Sequence, residues 1–448
     1  MRKVFNFVGE QCRPINVRAA FIVLVLLLSG ASGLEVCAQE VASSGDWQAP
    51  DAEVARVVDS VAVVLADSVP SVKKEPKGLA KWWQSFAHGN IDNTRNKPFD
   101  VSFVVAPTYA DDGGFGIGGG GSGLFRIDRN DTILPPSNVS LTANVTLRAF
   151  YSFYFKSNIY LPNHRDHFEV YADFQSRNRR FWGVNFDSCY AREGDDVKYR
   201  YTNVTVKVDW LHTLPAHFYF GAQALFTTRN VMNINGSKVS EAPELFERYL
   251  SGQEKQGGYA SLGVLLKYDT RDFIPNPSRG VHVMLKEACY RKVFGAGTGW
   301  AWNTIFNFNT YVPMWRGSLL AVDVYGNFFN RDVPWFIRQE IAADYARMRG
   351  YYIGRYFDNN QMSATVELRQ HIWKRIGVTA WASAGNFAST FGDYFTAHQW
   401  EAKRVLPSFG VGFRLEFKKN VNARIDYGFG RDGAAIYSAF VFDMGEAF

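Results

Sequence analysis

The strongest constraint on this chain is a period of two. From about residue 99 onward, apolar and polar side chains alternate in segments of about 9 to 14 residues. Phe409, Val411, Phe413, Leu415 and Phe417 share one face, opposite Ser408, Gly410, Gly412, Arg414 and Glu416. Ala423, Ile425 and Tyr427 oppose Asn422, Arg424 and Asp426, and Met362, Ala364, Val366 and Leu368 oppose Ser363, Thr365, Glu367 and Arg369. Sixteen such segments begin near Phe99, Gly114, Ser137, Tyr151, His167, Lys198, Ala216, Gly257, Gly280, Gly299, Gly317, Asn360, Ile376, Val405, Asn420 and Ala434. Alternation alone fits a soluble sandwich as well as a membrane barrel. Length decides, because soluble strands average about 5–6 residues and a tilted bilayer crossing needs about 9–11.

Composition agrees. Aromatic residues are 16% and charged residues 21%, with a mean hydropathy of −0.19. That average excludes a bundle of apolar membrane helices, whereas in a membrane barrel only every second residue meets lipid. The net charge of +6 is spread along the chain without basic clusters, which argues against a nucleic-acid partner.

The N-terminus reads as an export leader. Arg2, Lys3, Arg13 and Arg18 precede the apolar run Ala19 to Leu28, too short to span a bilayer, and Val36-Cys37-Ala38 offers a cleavage site. We expect a signal peptide over 1–38, a short periplasmic tether over 39–95 and the barrel over 96–448. In the tether, Val54, Val57, Val58, Val61 and Leu65 fit either a short helix or a plain linker. Lys81-Trp82-Trp83 suits the membrane interface. Of the four cysteines, Cys189 and Cys289 remain after cleavage; an oxidising periplasm would allow them to pair, but lone cysteines on separate strands are more often unpaired.

The links between segments are asymmetric. Those around 178–196, 230–256, 332–359 and 389–403 are long, and most on the other side are tight, as expected when long loops lie outside the cell and short turns in the periplasm. An even strand number returns both ends to the periplasm. Other strings carry little chemistry. Gly116 to Gly123 lacks the Gly-Lys-Ser/Thr of a phosphate loop and reads as bare strand backbone. His164, Asp166 and His167 read as a polar turn. No nucleophile–base arrangement or metal set stands out, so we expect no enzyme activity and no cofactor.

One link differs from the rest. Arg347-Met348-Arg349-Gly350-Tyr351-Tyr352-Ile353-Gly354-Arg355-Tyr356 joins three arginines to three tyrosines and is punctuated by two glycines. Such a loop needs walls to lie on, for ring faces and guanidinium donors alike. Arg349-Gly350-Tyr351 before a strand carrying Glu367-Leu368-Arg369 resembles the loop of the bacterial surface antigen barrels of the BamA/TamA type. Tyr268 to Asp272 with Pro277-Ser278-Arg279-Gly280 and the ending Phe442 to Phe448 are further matches, and Phe181-Trp182-Gly183-Val184 and Lys97-Pro98-Phe99-Asp100 extend the likeness into the first half, over nearly all of 97–448.

The resemblance implies an all-β, 16-stranded antiparallel transmembrane barrel in the outer membrane of a Gram-negative bacterium, with an internal arginine-bearing loop. It implies that Arg349 folds inward to pair with Glu367 on the twelfth strand. Phe440, Phe442 and Phe448 stand where relatives carry a terminal signal for insertion by the cell's barrel-assembly machinery. Two departures matter. The tether is too short for the polypeptide-transport-associated (POTRA) domains that usually precede such barrels. Ser383 stands on the thirteenth strand where an Asp is expected, leaving Glu367 as the main acid, with Glu416 and Asp426 as inward-facing substitutes. The implied function is assisting a protein or lipid client at the outer membrane through a seam between the first and last strands. A separate periplasmic or lipoprotein partner would help. The alternative is a passive porin or a structural subunit of a surface complex.

Overall fold

The computed structural model describes residues 98–448, apart from 111–113, 132, 148–149, 193, 233–241, 275, 296–298, 345, 419–420, 433–434 and 445. The expected leader, the tether with its helical spacing, and Trp82-Trp83 lie outside the described residues.

The chain forms one sixteen-stranded antiparallel sheet in which each strand pairs with its chain neighbours. Its strands are β1 (Phe99–Ala110), β2 (Gly114–Phe125), β3 (Ser137–Thr146), β4 (Tyr151–Tyr160), β5 (Asp166–Phe181), β6 (Val197–Thr213), β7 (Phe218–Met232) and β8 (Gln256–Asp269). They continue with β9 (Gly280–Gly295), β10 (Trp300–Pro313), β11 (Ser318–Phe329), β14 (Asn360–Trp373), β15 (Ile376–Ala388), β16 (Leu406–Lys418), β17 (Val421–Asp432) and β18 (Ala435–Met444). The pair β12 (Gln339–Glu340) and β13 (Phe357–Asp358) lies within the link from β11 to β14. Every start lies within two residues of its expected position.

Several strands outrun the expected length. β5, β6 and β9 have 16, 17 and 16 residues. At the far ends of β5 and β6, Phe181, Tyr199 and Tyr201 pack with Trp335 and Phe246 from the loops, so these strands extend to meet a second layer of structure.

The sheet is rolled. Glu340, in the β11–β14 link, meets Arg179 of β5 at 2.5 Å, and nine residues later Arg349 meets Asp426 of β17 at 2.6 Å. In a flat sheet β5 and β17 would stand ten steps apart, about 50 Å. The intervening stretch could reach about 30 Å only if fully extended, and it is a run of turns. The wall must therefore curl around the loop.

Its two faces reverse the order of a water-soluble sandwich. Phe103, Val105, Leu262, Val366, Phe409 and Val411 are exposed on the outside, while Asp209, Lys286, Asn309, Asp323, Glu367 and Asp426 are buried within. An apolar exterior around a polar interior is the pattern of a membrane barrel. All four long links leave from one end of the wall: 182–196, 233–255, 330–359 and 389–405.

Candidate functional site: the inward arginine loop

The first half of the β11–β14 link is held by rings. Trp335 is buried among the rings of Phe181, Tyr199 and Phe357. Burial pushes the Asp358 carboxyl up, and the Phe186 amide that donates to it at 3.1 Å pulls it back.

In the second half the three arginines grip three sectors. Arg347 forks onto Asp323 of β11, Nε at 2.7 Å and Nη2 at 2.8 Å, with its plane 4.1 Å over the Tyr325 ring. Arg355 donates to the Cys189 carbonyl at 2.6 Å, in the short helix α1 (Phe186–Tyr190) of the β5–β6 link. Arg349, only 1% exposed, spans two strands. Its Nη2 donates to Glu367 of β14 at 2.5 Å and its Nη1 to Asp426 of β17 at 2.6 Å, while its guanidinium stacks 3.8 Å over Trp381 of β15. Charge-assisted pairs of this kind are the strong hydrogen bonds of proteins.

Bare backbone makes this approach possible. Gly350 has φ +112°, and a Cβ there would stand 2.6 Å from the Phe429 main chain. A Cβ on Gly428 would meet the Arg349 carbonyl oxygen at 2.8 Å, and one on Gly430 the Tyr351 ring at 2.6 Å. On β16, Gly410 makes room for Trp381 and Gly412 for Asp426. Glycine at alternate inward positions of two paired strands thus forms a trough for the loop. The Tyr351 hydroxyl closes the end, its one proton shared between the Pro407 and Arg431 carbonyls at 2.8 and 2.6 Å while it accepts from the Arg431 amide at 3.0 Å. Tyr351→Phe should cost about 1–2 kcal/mol, since buried main-chain partners lose their bonds. Differential proteolysis of the loop would read it, and an unchanged cleavage rate would refute it.

The acids are themselves held. Arg369 donates to Glu367 at 2.8 Å, and Arg414 and Arg424 donate to Asp426 at 2.5 and 2.8 Å. Arg414 also reaches Glu446 at 2.9 Å. Four arginines thus meet three carboxylates.

Ser383 takes no part in the clamp, its hydroxyl sharing a 2.9 Å hydrogen bond with Thr365. The second acid comes instead from Asp426, because the register stacks β15, β16 and β17 with Gly412 between Thr379 and Asp426. Phe448 lies beyond β18 and not on its outward face. Its main-chain oxygen accepts from Arg369 at 3.1 Å, and its ring lies 5.4 Å from that guanidinium. Phe440 and Phe442 have their backbone on β18, and their side chains lie outside the described residues. Cys189 and Cys289 are free. His164 pairs with Asp131 and Asp166 with His212, so the histidine-rich turn does not converge on one point.

The chain is similar to solved outer-membrane barrels. With the crystal structure of BamA from Haemophilus ducreyi lacking POTRA domains 1–3 it shares 11% identity at a TM-score of 0.45, over 78% of this chain and 70% of that one. With CdiB from Acinetobacter baumannii the values are 10% and 0.45, over 78% and 66%, and with CdiB from Escherichia coli 10% and 0.47, over 78% and 62%. The chain thus spans just under two thirds of the CdiB chains. No family model matches it, and no curated protein is similar to it in sequence.

The resemblance implied the Arg349–Glu367 pair and alternation kept Asp426 only in reserve, while nothing in the sequence reading pointed to Trp381, Arg414 or Glu446. The available signal was the in-phase glycines at 410, 412, 428 and 430, which mark where something must lie against β16 and β17.

Proposed function

We propose that this chain is an outer-membrane barrel of the assembly and translocation kind, assisting insertion or transport of a protein or lipid client through a lateral seam between β1 and β18. The observation that carries this reading is the clamp. A loop lies inside the wall, and Arg349 fastens it to β17, the strand that pairs with β18. A structure that ties an internal loop beside the seam is suited to controlling the wall more than to passing solutes. At the seam, an unpaired strand edge offers main-chain groups to a client strand. The apolar exterior supports an outer-membrane location with lipid as its solvent. A separate periplasmic or lipoprotein partner delivers the client, the cell's barrel-assembly machinery inserts the chain itself, and no bond is made or broken.

Reconstitution tests it. Vesicles carrying the purified barrel should integrate an unfolded outer-membrane protein faster than empty vesicles, and planar bilayers should show small, flickering currents. Equal integration rates together with a large steady conductance would favour a passive pore and defeat the proposal.

A further inference from the structure

Near its end the β15–β16 link reaches the β5–β6 link, Arg404 pairing with Asp187 and lying 5.0 Å over the Phe186 ring, but residues 391–400 before it lie against the outer side of the wall. On β15 the inward side chains are odd-numbered, since Trp381 meets Arg349 and Ser383 meets Thr365, so Asn386 points outward. On β11, Asp323 faces in and Phe328 out. The link lies on these two outward residues. Phe391 and Tyr394 pack their rings 5.0 and 5.9 Å from Phe328. Asn386 donates to the Gln399 carbonyl at 2.7 Å, and Gln399 donates to the Phe387 carbonyl at 2.7 Å. The turn is fixed internally by the Thr390–Asp393 capping box and by the Trp400 indole donating to the Tyr394 carbonyl at 2.9 Å.

The result is a shelf on the outer wall with three large rings that each keep half or more of their surface open. Phe391, Phe395 and Trp400 are 50%, 79% and 51% exposed. The Trp400 N–H is already bonded, so the ring has no need of water on that side. Below the shelf the outward residues of the same strands are apolar or small, among them Val366, Val378 and Ala382. At its edge Glu401 pairs with Lys403 at 3.0 Å and lies 2.7 Å from the His398 imidazole. A patch continuous with an apolar wall and edged by polar groups has the character of a membrane-interface anchor, where aromatic rings gain most.

We propose that residues 391–400 form an interfacial foot that lies in the outer leaflet and binds lipid at the headgroup–acyl boundary on the β11–β14–β15 side. This rests on the reading of the outer wall as lipid-facing. A foot on one sector would fix that sector in the bilayer and leave the seam, between β1 and β18, free to move.

Photoreactive benzoylphenylalanine placed singly at Phe395, at Ala382 on the wall and at Glu247 on the helix α2 (Pro243–Leu250) tests it in the full chain in native membranes. Lipid adducts are expected at 395 and 382 and lost at 247. A lipid adduct at 382 with none at 395 overturns the foot while sparing the wall. A protein adduct at 395 overturns it in favour of a docking partner or a second copy. No lipid adduct at 382 would refute the lipid-facing wall, and the foot with it.

Discussion

Arg349→Ala will release the inward loop while leaving the wall rolled. The residue lies between Glu367 and Asp426 and is almost wholly buried. Removing one partner of such a buried pair costs about 3–5 kcal/mol. Arg369, Arg414 and Arg424 remain beside the two acids, so neither carboxylate is left bare, and the expected loss is the lower end, about 3 kcal/mol. Glu367→Ala should cost less, because Asp426 still holds the guanidinium. Adding it to Arg349→Ala should change little, as expected for one shared interaction. Protease cutting near Tyr352 and the mobility of a spin label there measure the release. Full additivity of the two substitutions would show that they do not form one clamp. Lysine cannot restore the clamp, since a single ammonium cannot fork across two strands while stacking on Trp381.

Gly350→Ala is the second large effect. The residue combines a φ of +112° with a main chain 2.6 Å from where a Cβ would stand. The strained backbone costs about 1–3 kcal/mol, and overpacking adds about 1–3 kcal/mol. The obstacle is strand backbone, which cannot swing aside as a side chain would. We therefore expect Gly350→Ala to unseat the loop as fully as Arg349→Ala, although every charge is kept. The same protease assay reads it, and wild-type resistance would refute the close-packed trough. Gly428→Ala, pressing from the opposite side, should act alike.

The wall was legible because its rule is simple. One-residue slips flip every side chain, so Phe409 to Phe417 and Met362 to Leu368 declare their face without help from the rest of the chain. The lengths of β5 and β6 were not legible, because Tyr199 and Tyr201 continue the alternation past any lipid boundary and answer to loops that only the tertiary structure brings near. The clamp was half legible. Resemblance led to Arg349 and Glu367, but alternation gives a face without a height, so Asp426 could not be told from Glu416. Register decided it. The same limit hid the place of Phe448, whose residues after β18 no longer follow any period and turn to Arg369.

The grip of Arg347, Arg349 and Arg355 on β11, on β14 with β17, and on the β5–β6 link has a consequence for the order of folding. Asp323, Glu367, Asp426 and the Cys189 carbonyl come from segments far apart in sequence, and none forms a site alone. Bringing such distant pieces together carries the largest closure entropy and is slow. The loop cannot seat on a half-made wall, because its trough does not exist until β16 and β17 have paired and the sheet has rolled. Seating is therefore a late step, and it happens only on a barrel whose register is already correct. A chain with a slipped strand would take Asp323, Glu367 or Asp426 away from the arginines that need them, and stay open to degradation.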